Sequence, residues 1–511
     1  MYTCDRCLSW AQTFEPGCSL PFDSIKSITQ PVAITRHDER SHMIPCLVTV
    51  VGAGLTGAML SALLAKVGRS VRLIEGHLDP RRHATVDYPS INLALSYRGL
   101  KALDRLGVCD EIWPLLVPMR GRQIHTAESQ EFQAYDLVGA RSLYSVRRSD
   151  LMRLLLDTAE ACGAQTIFGL SLKAIDAPCR TMRLVDKASG AERTESFEML
   201  IGTDGCHSVV RRGLDTAWGE SSAVSELAHG YRELPIDQAS PLASSLRQDA
   251  LHVWPRHDFM MVALPNANRS FTATLFMPHE GHESFSHLSN TAAVKKLFDR
   301  HFQDIGGSCS WAVPALTRRP IGRLITAEAR HWSFGGAVAI LGDAAHALPP
   351  FLGQGMNCAF EDCVCLADLL DEHRGNPADT FSRFEELRRP NAQAIAHMSL
   401  ENYLEMRHTV TQSEHRATRR MMQQLQERFP MKFVPLYSMV SFSDVPYTDA
   451  LARHRVQETI LGALFGQGNS DVIDWPLATR LIKEGLRSDV LLSPESFYRH
   501  RGAFQPNLPS C

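Results

Sequence analysis

Val48-Thr49-Val50-Val51-Gly52-Ala53-Gly54-Leu55-Thr56-Gly57-Ala58-Met59-Leu60-Ser61-Ala62-Leu63-Leu64 is the stretch on which the reading of this chain turns. The run from Leu47 to Val51 is short and β-branched, which predicts a buried strand. Gly-x-Gly-x-x-Gly follows at once, and Ala58 to Leu64 predicts a helix. Gly52 suits the tight turn, Gly54 a close approach of a pyrophosphate, and Gly57 close packing of helix on sheet. The start of such a helix offers free N–H groups and partial positive charge to phosphates. Val71-Arg72-Leu73-Ile74-Glu75 predicts the second strand of a βαβ unit, and its last residue, Glu75, is placed for a ribose hydroxyl. A glycine-rich turn in an unrelated α/β protein lacks this complete context. The motif by itself does not separate FAD from NAD.

Two further strands end in glycine turns. Met199-Leu200-Ile201 stops at Gly202-Thr203-Asp204-Gly205, and Ala337-Val338-Ala339-Ile340-Leu341 runs into Gly342-Asp343. Residues 221–325 look different. Leu251-His252-Val253-Trp254 and Ser270-Phe271-Thr272-Ala273-Thr274-Leu275-Phe276 are aromatic and β-branched, and turns such as Pro265-Asn266-Ala267-Asn268 divide them. That pattern predicts an antiparallel sheet. After about residue 376 the chain is polar with helical periodicity. The expected architecture is α/β: a doubly wound, Rossmann-like dinucleotide domain (44–220 and 326–375), an antiparallel-sheet substrate domain (221–325) and a helical C-terminal region (376–511). Residues 1–43 lack a clear period and read as a disordered extension.

A chain of 511 residues suggests two or three lobes. Its net charge of −3, with no run of like charges, leaves no footprint for nucleic acid or an anionic membrane. The 13 cysteines are scattered, which reads as reduced thiols of a cytoplasmic enzyme. Cys4-Asp5-Arg6-Cys7 has no second pair at zinc spacing, so no metal site is expected. Cys46 to Val67 is long and apolar enough to suggest a membrane span, but its glycine pattern makes it strand and helix. Neither a signal peptide nor a C-terminal anchor is expected.

Thr203-Asp204-Gly205-Cys206-His207-Ser208-Val209-Val210-Arg211 contains DGxxSxxR, and Gly342-Asp343 leads towards Gly353-Gln354-Gly355-Met356-Asn357. These resemble two motifs of the flavin-dependent aromatic hydroxylases. The first, with Asp204 and Gly205, resembles the sequence that supports both FAD and NADPH use. The second resembles the GD motif, in which Gly342 precedes Asp343 at the flavin ribityl chain and Gly353, Gly355, Met356 and Asn357 run past the ring. Gly466-Gln467-Gly468 lacks a strand and a third glycine, so a second dinucleotide domain is not expected.

The resemblance narrows along the rest of the chain. Ser90-Ile91-Asn92-Leu93-Ala94-Leu95-Ser96, Met119-Arg120-Gly121-Arg122, His229-Gly230-Tyr231-Arg232-Glu233-Leu234, Leu251-His252-Val253-Trp254-Pro255, Glu401-Asn402-Tyr403-Leu404-Glu405-Met406 and Pro435-Leu436-Tyr437-Ser438-Met439-Val440 are similar to the kynurenine 3-monooxygenase family. That resemblance implies tightly bound FAD, transient NADPH, O2, and hydroxylation of L-kynurenine through a flavin C4a-hydroperoxide. It implies Arg122 and Tyr135 on the substrate carboxylate, with Asn402 and Tyr437 completing the polar grip. Leu251, Val262, Leu264, Phe276, Pro350, Phe351 and Met406 would line the ring pocket, and Ala94 and Arg148 would lie near the flavin. A guanidinium meets a carboxylate with paired N–H bonds, and an aromatic ring needs a dry slot. No acid or base acting on the ring is assigned. Two departures, Tyr88-Pro89 before Ser90 and Leu352 beside the flavin segment, point to the alternative of a substituted kynurenine or an anthranilate as substrate. A flavin reductase without oxygen insertion is the alternative from another class.

Overall fold

The computed structural model describes residues 46–82, 92–126, 129–135, 141–305, 309–373, 376–408, 413–465, 473–494 and 497. The expected extension at 1–43, Tyr88-Pro89 and Gly466 to Gly468 lie outside these residues. So does the side chain of Met406.

Val48–Val51 is a strand buried at every position, because both its faces are covered by helices. It pairs in parallel with Met199–Gly202 on one side and Val71–Glu75 on the other. The whole sheet runs Ser333–Phe334, Val338–Ile340, Met199–Gly202, Val48–Val51, Val71–Glu75, Gln165–Phe168, and only the first pair is antiparallel. Leu55–Lys66 is apolar all round, as a helix enclosed on every side must be. It packs between the helices Arg148–Ala161 and Gly355–Glu372. The apolar stretch from Cys46 is therefore strand and helix, and no described helix is long and apolar enough to cross a membrane.

The second sheet has seven strands: Gly322–Glu328, Ala223–Ile236, Phe271–Pro278, Phe259–Pro265, Ala250–Arg256, Gly121–His125 and Gln130–Ala134. It differs from expectation in two ways. Ala250–Arg256 pairs in parallel with Gly121–His125, so the sheet is mixed. Two strands come from before residue 221 and the edge strand extends past 325, so the sheet does not respect those boundaries. Local pattern identifies strands, but it does not say which sheet a distant strand joins. The helix Pro377–His408 likewise begins inside the first lobe's core, through Phe381 and Phe384.

Strand alternation divides the seven-stranded sheet into two faces. Trp254, Met261, Phe271 and Leu275 point to one face, packed with Leu297, Phe298 and Leu316 from the helices Thr291–His301 and Val313–Arg318. Arg122, Leu251, Val262, Leu264 and Phe276 have the opposite parity in the strand registers and share the other face.

Candidate active site

The glycines after the first strand divide into those that meet protein and those that meet open space. Gly52 has φ +96°, and a Cβ there would lie 2.7 Å from the Thr203 carbonyl oxygen. A Cβ on Gly57 would lie 1.9 Å from the Gly52 carbonyl oxygen, so the helix can approach the turn only without a side chain. A Cβ on Gly54 would meet nothing within 4 Å, and the same holds at Gly205 and Gly355. The helices starting at Leu55 and Gly355 have no side-chain cap, leaving their first N–H groups for a ligand. This cradle of space and free donors fits the pyrophosphate of FAD.

Glu75 is where the sequence places it, and its carboxylate accepts from Ala53 N (2.8 Å) and from His77 N (2.9 Å). The Asp204 side chain caps a helix. Its oxygens accept from Ser208 Oγ and from the backbone N of Val209 (2.6 Å) and Val210 (3.2 Å), which caps the helix Val209–Trp218. Burial raises its pKa, against the pull of those bonds. Arg211 donates to the Ala344 (2.8 Å) and Cys206 (2.6 Å) carbonyls and so ties the two glycine turns together. The DGxxSxxR pattern is thus a capped helix start and a brace.

Asp343 makes no hydrogen bond or ion pair among the described residues. It is exposed to the cleft yet walled by protein, so desolvation raises its pKa while His346 and Arg148 oppose the shift. A carboxylate open to the space and without a partner suits ribityl hydroxyls. Gly342 and Gly353 both have positive φ, +60° and +66°. Met356 is half-buried in the first turn after Gly355. Asn357 is fully buried and its amide is satisfied by protein. Oδ1 accepts from Ser96 N (3.0 Å), and Nδ2 donates to the Ala94 (3.0 Å) and Gly353 (2.9 Å) carbonyls. Its side chain holds the Ala94 strand against the Gly353 turn, while its backbone N–H is among the uncapped first N–H groups of the helix. Arg148, first residue of its helix, is exposed and makes no hydrogen bond or ion pair among the described residues.

On the sheet side, the Arg122 guanidinium lies 4.0 Å from the Tyr437 ring centroid and 5.8 Å from that of Tyr135. The two tyrosine rings stack at 5.3 Å. Arg122 is half-buried with no carboxylate paired to it among the described residues. The Tyr135 hydroxyl is buried without a hydrogen-bond partner. A guanidinium keeps its charge in a protein, so this corner calls for an anion. Ala94, Leu251, Val262 and Leu264 share a cluster with both tyrosines. Val262 also joins Phe276 and Phe351, whose rings are 5.4 Å apart. Asn402 is found elsewhere in this wall, where Nδ2 donates to the Phe351 carbonyl (2.9 Å) and fixes the turn Pro350–Leu352. Pro350 is exposed, and Leu352 packs into a cluster with Ile395 and Met398.

Several site-shaping residues sit inside the family-like motifs without any role that the sequence assigns them. Asn92 lies within hydrogen-bond distance of Ser145 (3.0 Å), Asn266 (2.8 Å) and Thr272 (3.1 Å), joining the two lobes beside Ala94. Glu233 is 6% exposed on the strand flanking Phe276. Its alternation with Tyr231 could have placed it on the pocket face, but only once the pairing was known.

Residues 45–399 match the FAD binding domain family. The chain is 40% identical over 432 residues to a kynurenine 3-monooxygenase of Stenotrophomonas maltophilia (strain K279a), covering 84% of this chain and 94% of that protein. It is 38% identical over 442 residues to a kynurenine 3-monooxygenase of Myxococcus xanthus (strain DK1622), covering 86% and 95%. Among solved structures, 2-methyl-3-hydroxypyridine-5-carboxylic acid oxygenase in a tetrameric form superposes with TM-score 0.59 at 20% identity, covering 72% of this chain and 94% of that one. PqsL of P. aeruginosa in complex with 2-aminobenzoylacetate gives TM-score 0.57 at 22% identity, covering 71% and 97%. These two structures support the fold alone.

Proposed function

The chain belongs to the FAD binding domain family and, within it, to the kynurenine 3-monooxygenases, and from that premise we propose that it hydroxylates L-kynurenine to 3-hydroxykynurenine with NADPH and O2. The observation that carries the substrate is the corner at Arg122. A cation with no counter-ion and a buried hydroxyl with no hydrogen-bond partner among the described residues, beside an apolar slot, suit an amino acid with an aromatic side chain.

In this reading Gly54, Gly205, Asp343 and Gly353 would hold FAD, which when bound would supply the redox chemistry between NADPH and O2. The chain's own residues supply binding, orientation and dryness. Arg122 takes the substrate carboxylate in paired N–H bonds and Tyr135 adds a hydroxyl donor. Tyr437 stacks on the guanidinium and limits its movement. Leu251, Val262, Leu264, Phe276 and Phe351 hold the ring and exclude water. Asn402 acts through the Phe351 carbonyl, and Asn357 through the backbone of Ala94 and Gly353. An aniline nitrogen activates the ring carbon ortho to it, so no base is required there. We place the enzyme in the cytoplasm, because its nine described cysteines are all free thiols.

NADPH oxidation by the FAD-loaded protein, with and without L-kynurenine and with the product weighed by mass spectrometry, tests this reading. Stimulated oxidation with a product one oxygen heavier is expected. Oxidation that yields only peroxide, or no stimulation, would sink it.

A further inference from the structure

Glu233 is a buried carboxyl that the reading above does not use. It stands on the strand Ala223–Ile236, opposite Thr274 and two residues from Tyr231, which faces Phe276. By strand alternation its side chain shares the face that carries Val262, Leu264 and Phe276. It is 6% exposed, and Oε2 is buried with no hydrogen-bond partner. No ion pair reaches its carboxyl among the described residues. Arg319, which precedes the edge strand, donates to the Glu233 backbone carbonyl (3.0 Å) and not to its side chain. The charged or titratable groups within electrostatic reach are Arg319, Arg148 and the Tyr231 hydroxyl, with Cys206 beyond Tyr231. The charge of Arg148 acts on both Glu233 and Asp343. An ionised carboxylate in this setting is costly, whereas a protonated one is not. Desolvation pushes its pKa up to about 7, although both arginines oppose the shift.

The hydroxylation consumes a proton. L-Kynurenine, NADPH, H⁺ and O2 give 3-hydroxykynurenine, NADP⁺ and water. One oxygen atom enters the ring C–H bond, and the other leaves as water carrying the hydride's electrons and a solvent proton. We propose that Glu233 stores that proton inside the chamber. Its O–H bond breaks as the departing oxygen becomes water, and the carboxylate then regains a proton from solvent, with Arg148 stabilising the brief negative charge. This rests on the hydroxylase reading, and Glu233 is a proton-holding residue acting from the wall, not a group placed on the ring.

The first test needs no turnover. Infrared difference spectra of the FAD-loaded protein without substrate, titrated through the neutral range, are compared for the native chain and Glu233→Gln. A protonated carboxyl band that disappears with a midpoint near 7, and is missing from Glu233→Gln, is expected. A Glu233 carboxyl that titrates in the ordinary carboxylate range overturns the proposal. In turnover, Glu233→Gln should lower kcat on the order of 100-fold and flatten its alkaline limb, with KM for L-kynurenine unchanged. Glu233→Asp should restore part of kcat with the limb displaced. An unchanged kcat–pH profile in Glu233→Gln also overturns it. If Glu233→Gln does not fold, the displaced band of Glu233→Asp decides. Failure of the native chain to oxidise NADPH in response to L-kynurenine would instead overturn the substrate reading, and the infrared titration would still decide whether Glu233 holds a proton.

Discussion

Arg122 and Glu233 are two ionisable groups with no ion pair among the described residues, and they have opposite fates. The guanidinium cannot shed its charge, so it waits for an anion. Arg122→Ala should leave FAD bound and raise KM for L-kynurenine at least about tenfold, since a charged hydrogen bond is worth roughly 1.5–3 kcal/mol. Steady-state kinetics checks this, and an unchanged KM would remove Arg122 from the carboxylate site. The carboxyl can become neutral, and its folded pKa of about 7 lies above the ordinary 4.5. The folded state therefore binds the proton more tightly. Its contribution to stability is fully present below 4.5 and is lost as pH rises through about 7. Glu233→Gln should stabilise the protein by up to about 3 kcal/mol on the alkaline side and give no gain in acid. Thermal melts at two pH values read the difference.

At the scale of an element, the first turn and helix make two glycines separable. Gly54 borders open space, so Gly54→Ala should leave the apoprotein's melting temperature nearly unchanged and weaken FAD at least about tenfold. Gly57 meets the Gly52 carbonyl, so Gly57→Ala should destabilise the fold itself by about 1–3 kcal/mol or more. Melting of the apoprotein and FAD titration, run on both variants, distinguish the two roles. The far face of the seven-stranded sheet carries a different sensitivity. His125 Nε2 and His252 Nδ1 lie 2.8 Å apart, and His125 stacks on Trp254 at 4.3 Å. Burial pushes His125 down to about 3 and His252 down to about 4. Because the unfolded chain protonates first, stability present above 6.5 is lost as pH falls towards these values. His252→Gln should flatten that acid decline, which denaturant titrations across the range would show.

Across the whole molecule, Arg98 joins the flavin lobe to the C-terminal helices. It pairs with Glu361 (2.7 Å), donates to the Val440 (2.8 Å) and Val445 carbonyls, and lies 4.0 Å from the Tyr447 ring centroid. The helix Leu436–Phe442 that it anchors also carries Tyr437, one wall of the Arg122 corner. Arg98→Met should cost about 3 kcal/mol or more, because it strips a buried network of one charge. Hydrogen exchange should rise first at residues 436–445, and KM for L-kynurenine should rise with it. Uniform exchange would mean that the brace is not local.

The dinucleotide lobe was legible in the sequence because each of its signals is local. A β-branched run, three glycines, a helix and an acid at the end of the next strand constrain one another over about thirty residues. The structure places Val71–Glu75 as expected and extends the predicted helix to Leu55–Lys66. Strand alternation from Leu251 to Phe276 was legible for the same reason. What the sequence could not determine is which distant strands pair. The placement of Gly121–His125 beside Ala250–Arg256 brings Arg122 to Leu251, and no pattern within either strand specifies the other. Side-chain partners were equally hidden. The side chains of Asp204 and Asn357 serve a helix cap and a backbone clamp, which their motifs do not announce, and Glu233 Oε2 is buried with no hydrogen-bond partner among the described residues. Local chain stiffness and hydrophobic period are written residue by residue, whereas burial and hydrogen-bond satisfaction exist only after remote segments meet.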